Sequence, residues 1–190
     1  SKDKFYDWGF RFSIDYYTPR KFQNIGLSYS LGYSKSNIDD FIYFIDPDQA
    51  DPAPTTARLG MTFGGKFTIF NDLGIDFRVI REAEELMIET IMGTSLLTGY
   101  GLGYKDGLFG DINLGKHIFN GQPDEDVVIH KGTEINLFNF YSIRKGKYID
   151  VTGKIDVKTS GYGINLGEMI KFVSYLLDNS SLREIKLFKY

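Results

Sequence analysis

The chain has 190 residues, with 22 Lys plus Arg against 25 Asp plus Glu and a net charge of −3. That length holds one domain, 1–190; near-balanced charge leaves no electrostatic footprint for nucleic acid; and the lack of cysteine excludes disulfides and Cys-based metal sites or nucleophiles. No run approaches the roughly 18 apolar residues of a transmembrane helix, yet 16 Phe, 13 Tyr and 21 Gly are spread along a chain of mean hydropathy −0.22, the composition of strands facing lipid on one side and a polar lumen on the other. The sequence begins at Ser1 without Met or leader, so removal of an N-terminal piece is expected, and the domain is read as complete or as part of a longer one.

Residues 7–17 alternate strictly. Trp8, Phe10, Phe12, Ile14 and Tyr16 share one face; Asp7, Gly9, Arg11, Ser13 and Asp15 share the other. Such a strand is long for a soluble domain and matches the roughly 9–11 residues of a tilted membrane strand. After a connection at Thr18-Pro19-Arg20, residues 26–35 repeat the pattern, with Leu27, Tyr29, Leu31 and Tyr33 against Ser28, Ser30, Gly32 and Ser34. Residues 37–54, rich in Asp and Pro, read as a long loop. Residues 57–70 and 73–79 form a hairpin about Asn71-Asp72. Residues 81–92, with four Glu among Ala, Leu, Met and Ile, break the alternation and predict a short helix or a loop. Residues 100–104 lead into a strand at 108–114, and 121–126 is a polar loop. Residues 127–137 and 141–149 pair across Phe138-Asn139-Phe140, 150–154 is a turn, and 158–166 is the next strand. Residues 169–177 predict a short helix or an irregular strand, and 183–190 a last strand of poor alternation. Nine or ten strands with Gly, Asn and Asp at the joins predict an all-β, antiparallel transmembrane β-barrel, with a soluble β-sandwich as the alternative. Closure removes strand edges, which lipid does not tolerate.

Chemistry-bearing motifs are sparse. His117 and His130 are the two histidines and no nucleophile elbow accompanies them, so no catalytic residue is assigned. Asp46, Asp48 and Asp51 form a weak calcium candidate that lacks the Gly and terminal Glu of an EF-hand; a solvated acidic loop is the preferred reading, and no metal or cofactor is assigned. The Gly-aromatic alternations at 99–103 and 161–163 have strand-like flanks, so close strand packing is preferred over phosphate cradling. Arg11, Asp15, Asp76, Arg78, Glu134 and Asn136 fall on polar strand faces and line the lumen if the barrel reading holds. Trp8, Tyr16, Tyr29 and Tyr33 are the candidates for the lipid interface. Arg144, Lys145 and Lys147 lie beside Tyr141 and Tyr148; an exposed strand end is favoured there over a site for anionic headgroups or lipopolysaccharide.

Residues 54–80, PTTARLGMTFGGKFTIFNDLGIDFRVI, and 133–166, TEINLFNFYSIRKGKYIDVTGKIDVKTSGYGINL, carry a family resemblance. The RLGM strand before a hairpin, the acidic strand TEINL followed by FYSIRKGKY, and the GYGINLG strand resemble the C-terminal half of PorV/PorQ-like outer-membrane proteins of Bacteroidetes, within the FadL-like superfamily. The resemblance covers residues 52–170 and rests on strand and turn patterns. It implies a barrel of about fourteen strands, within the bacterial range, located in the outer membrane and serving transport of hydrophobic compounds or type IX secretion, with other outer-membrane or secretion-system proteins as partners. An NPAG-like segment typical of the family is absent, and the chain is about half the length that such a barrel needs. The resemblance carries no catalytic residues over.

Three readings follow. The first is a bacterial outer-membrane barrel with a transport or secretion-accessory role and no enzymatic activity, bounded by membrane lipid or lipopolysaccharide. The second is a soluble or surface-anchored β-domain that binds a ligand or partner protein, its aromatic faces packed in a dry core. The third is an outer-membrane lipid-modifying hydrolase, which needs Ser paired with His117 or His130.

Overall fold

A computed structural model describes residues 5–19, 24–38, 41–42, 51–70, 73–92 and 100–176. In chain order the elements are β1 (Tyr6–Pro19), β2 (Asn24–Ile38), β3 (Phe41–Ile42), β4 (Asp51–Pro52), β5 (Thr56–Phe70), β6 (Leu73–Leu86), β7 (Ile88–Met92), β8 (Tyr100–Tyr104), a π-helical segment Leu114–Phe119, β9 (Val127–Leu137), β10 (Tyr141–Asp150), β11 (Ile155–Ile164) and α1 (Leu166–Leu176). The fold is all-β and antiparallel.

Seven strands form one sheet in the order β1-β2-β5-β6-β9-β10-β11, an up-and-down meander in which each strand neighbours the next long strand in sequence. The pairs β3-β4 and β7-β8 are separate two-stranded ribbons inserted in the meander. At one end of the sheet the long strands join through 20–23, 71–72 and 138–140. At the other they join through the long excursions 39–55 and 87–126 and the short turn 151–154. Among the described residues β1 and β11 are the sheet's edges.

Several sequence expectations are corrected. Residues 81–92 are neither helix nor loop: β6 continues to Leu86, with Arg81, Ala83 and Glu85 facing one side and Glu82 and Glu84 the other, and Ile88–Met92 is β7, paired with β8. The strand expected at 108–114 is a turn leading into the π-helical segment, which Asn113 caps by accepting from the Lys116 N–H at 3.0 Å. Of the two options for 169–177, the helix is present, as α1. Asn165 starts it, its side chain accepting from the Glu168 N–H at 3.2 Å. The strand expected at 183–190 lies outside the described residues.

The buried core is small and sits at the long-excursion end. Tyr33, Ala57, Leu59, Ala83, Val127 and Ile129 from four neighbouring strands are buried there against Met87, Ile112 and Ile118 of the excursion. At the other end the 138–140 turn, with Phe138 and Asn139 at positive φ, stacks Phe138 and Phe140 on Phe172 of α1, with centroids 5.0 and 5.2 Å away.

Candidate functional site: two faces of one sheet

Residues directly opposite in a ladder share a face, so the register assigns every side chain of the sheet to one of two surfaces. The first carries Phe10, Tyr33, Leu59, Ala83 and Ile129 in one row. Three rows further along the strands it carries Tyr16, Leu27, Gly65, Phe77, Ile135, Ile143 and Tyr162. This face is apolar and mostly bare: Ile14, Tyr16, Phe63, Phe77, Ile135 and Ile164 are exposed, and Tyr162 is 72% exposed. Where Gly65 interrupts it, the Phe77 ring lies over the glycine and takes the place a side chain would fill.

The opposite face is polar. One row reads Asp15, Ser28, Gly64, Arg78, Glu134, Arg144 across six strands. The next pairs Lys66 with Asp76 and Asp76 with Asn136. Opposite charges therefore face each other along the ladder, and Arg144 Nε reaches Glu134 Oε1 at 3.3 Å. All six residues expected on the polar surface, Arg11, Asp15, Asp76, Arg78, Glu134 and Asn136, share this face. Its small Ser, Gly and Thr side chains leave a hollow of about 710 Å³ over β1, β2, β5 and β6, bordered by Arg11, Asp15, Arg58, Arg78 and Glu82.

Further along the same face, Arg58 donates to Glu84 Oε1 at 3.1 Å, and the other Glu84 oxygen lies 3.2 Å from His130 Nε2. With Glu82, these groups offer three potential ligand atoms within 4.8 Å of one another. The Arg58–Glu84–His130 chain of contacts already partners Glu84, so an ion-pair cluster accounts for the arrangement. Asp46 and Asp48 lie outside the described residues and Asp51 is described by its backbone alone, so the calcium candidate is not addressed by the structure.

One end of the apolar face is covered by residues 105–126. The cover is fastened by Glu85, which is 1% exposed. Lys105 Nζ donates to Glu85 Oε1 and to Asp111 Oδ2, each at 2.7 Å, and the Asp111 N–H donates to Glu85 Oε2 at 2.7 Å. Gly110, at φ +54°, lets the backbone pass so close to Glu85 and Met87 that a Cβ would collide with both. Partial burial works against the Lys105 ammonium, but Asp111 and Glu85 outweigh it and raise its pKa well above the usual lysine value. The same ammonium lowers the Asp111 pKa.

A second knot closes the cover. Asp124 accepts from the Val127 and Asp126 N–H groups at 3.0 and 3.2 Å and pairs with Lys116 at 2.7 Å. Burial pushes the Asp124 pKa up, but these partners outweigh it and the net shift is downward. His117, 1% exposed, places Nδ1 2.6 Å from the Gln122 carbonyl and Nε2 3.3 Å from Asp124. Both histidines thus have polar partners, His130 in Glu84 and His117 in the Gln122 carbonyl and Asp124, and among the described residues neither bonds a serine hydroxyl.

The interface candidates divide. Trp8 and Tyr16 are exposed at opposite ends of β1 and Tyr29 is half-buried. Tyr33 is not at an exposed interface: it is 2% exposed, lies under the cover among Trp8, Phe10 and Phe109, and its hydroxyl donates to the Leu108 carbonyl. Alternation within Leu27–Tyr33 could not reveal this, because the covering residues lie some 75 positions away. The basic cluster is also redrawn. Arg144 faces the polar side with Glu134, whereas Lys145 and Lys147 face the apolar side, where the register aligns Lys147 with Lys131 and Lys158. The period of two separates residues adjacent in sequence and joins others that sequence keeps apart. Compared with known proteins, the chain matches no protein family, no curated protein and no solved structure.

Proposed function

We propose that this chain forms wall of a bacterial outer-membrane β-barrel, non-enzymatic, with its apolar face against lipid and its polar face lining a lumen. The observation that carries the reading is the bare apolar face. A water-soluble sheet buries its apolar side against a second layer; here, among the described residues, the one cover lies over a single end, and aromatic and aliphatic side chains on six of the seven strands stay exposed. Strands of 10–15 residues suit a tilted crossing. Short joins at one end and two long excursions at the other fit short periplasmic turns and long outer loops. The charged ladder and the hollow on the polar face suit a water-filled interior that passes or holds a cargo. Transport of hydrophobic compounds, or an accessory role in secretion alongside other outer-membrane proteins, is the role that the PorV/PorQ-like resemblance adds.

The open edges at β1 and β11 favour a second reading, one sheet of a soluble sandwich whose other layer is a partner protein. One experiment separates the two. The full gene is expressed with an export signal, membranes are washed with carbonate, and gel mobility is compared with and without boiling. The barrel reading expects carbonate-resistant protein in the outer-membrane fraction whose mobility shifts on boiling. Release as soluble protein without detergent overturns it.

A further inference from the structure

The apolar face carries one feature that neither core packing nor lipid contact explains. Arg81, Lys131, Lys147 and Lys158 stand directly opposite one another on β6, β9, β10 and β11. Like charges opposite in a ladder destabilise a sheet, and cations on a lipid-facing surface are costly away from the interface. Lys145, one row further along β10, sits between Thr133 and Ser160. Lys131, Lys145, Lys147 and Lys158 with the two hydroxyl residues surround a pocket of about 360 Å³. Among the described residues the counter-charge for this group is Asp156, 2.9 Å from Lys147. Five cations against one carboxylate leave four positive charges. Two phosphomonoesters, at about −1.5 to −2 each, match that surplus.

What adjoins the pocket narrows the ligand. Toward the short-turn end the same three strands present Ile135 and Leu137, Ile143 and Tyr141, and Tyr162 and Ile164 on the same face. From the Lys147–Lys158 row to the Tyr141–Ile164 row this apolar track runs six residues, about 20 Å along a strand. Toward the other end lies the cover, whose Gly121 backs onto Lys131 and Arg81. A ligand that satisfies both halves has phosphates at one end and acyl chains at the other.

We propose that the Lys131–Lys145–Lys147–Lys158 pocket is a docking site for the phosphorylated headgroup of an outer-leaflet glycolipid of the lipid A type, its acyl chains lying on Ile135, Ile143 and Tyr162. The site rests on the membrane reading above, and it places the long-excursion end of the sheet at the outer surface. Lysine ammoniums neutralise the phosphates while Thr133 and Ser160 donate hydrogen bonds.

The test uses the full chain in dodecylmaltoside micelles and measures binding of diphosphoryl lipid A by native mass spectrometry. The same is done for the K131Q/K147Q/K158Q variant, for its K131R/K147R/K158R counterpart, and with dephosphorylated lipid A or inorganic phosphate as ligand. The expected result is binding by the native chain, at least tenfold weaker binding by the Gln variant, retention by the Arg variant, and little binding of either alternative ligand. Equal binding by the Gln variant overturns the site. Inorganic phosphate binding as tightly as the lipid overturns the lipid assignment. The boiling shift of each variant reports folding independently: a shifted, membrane-resident protein with unchanged lipid binding loses the site but keeps the barrel, whereas a detergent-independent soluble protein loses both.

Discussion

Two stretches of one apolar face have opposite fates. Leu59, Ala83 and Ile129 are buried under residues 105–126, while Phe63, Phe77 and Ile135, a few positions along the same strands, are bare. Their strand pattern is the same. The difference comes from the excursion after β6 and the buried Glu85 that ties it down through Lys105 and Asp111. An alternating strand fixes which side is apolar; a distant segment decides whether that side becomes core or stays bare.

Removing the tie is the largest way to break the contrast. Lys105→Met leaves Glu85 buried without its cation, and loss of one partner of a buried pair costs about 3–5 kcal/mol. The expected outcome is protease cleavage within 105–126 and a matching fall in urea stability, with exposure of Leu59 and Ile129. Protection equal to the parent's would mean that apolar packing alone holds the cover. The complementary change is on the bare stretch. Ile135→Arg puts a cation among Phe77, Ile143 and Tyr162, and at mid-bilayer such a change costs about 2–4 kcal/mol. On the exposed surface of a soluble sheet the same substitution stays within about 0.5 kcal/mol. Unfolding in lipid vesicles measures which holds, and a neutral result counts against the wall reading.

Much of the sheet was legible from period-two alternation: β1, β2, β5, β9 and β10 lie where the aromatic and polar positions alternate, and the polar face contains all six residues assigned to it. What was not legible needed contacts remote in sequence. Glu82, Glu84 and Glu85 read as helix or loop from sequence, yet Glu82 borders the polar hollow, Glu84 meets Arg58 and His130, and Glu85 is the buried tie to Lys105. Tyr33 looked like an interface residue because nothing local shows that Leu108 accepts its hydroxyl. The lysine row is half visible in sequence: Lys145 and Lys147 lie close together there, but Lys131 and Lys158 join them through register, which neighbours in sequence do not reveal.

Smaller effects sharpen the comparison at the second knot. Asp124→Asn keeps an oxygen for the Val127 and Asp126 N–H groups but removes the charge that pairs with Lys116. The expected loss is about 1 kcal/mol, read as faster amide exchange at residues 113–127 with no change at 133–164. Equal acceleration in both regions would show that cover and bare face open as one unit.

The pH dependence of the cover follows from the same contacts. Asp111 and Asp124 have folded pKa values below the ordinary carboxylate value of 3.8. A depressed folded value means that the stability they contribute is present above 3.8 and is lost as pH falls through the folded values. Lys105 is raised above its ordinary 10.5, so its contribution is present below 10.5 and is lost only as pH climbs through the higher folded value. The cover should therefore hold a plateau of protection across the neutral range and loosen at the acid edge, below about pH 4. Amide exchange of 105–126, compared at pH 7 and pH 3 after correction for intrinsic rates, measures this, and Asp124→Asn should shrink the acid drop by removing one of its two carboxylates. The carboxylate pairs of the bare strands, Glu134 with Arg144 and Asp156 with Lys147, join neighbouring strands of the ladder and fasten no separate segment, so residues 133–137 and 158–164 should keep their protection. Acid loosening spread evenly over the whole sheet would mean that these carboxylates do not govern the cover, and the distinction between a fastened end and a bare face would lose its physical basis.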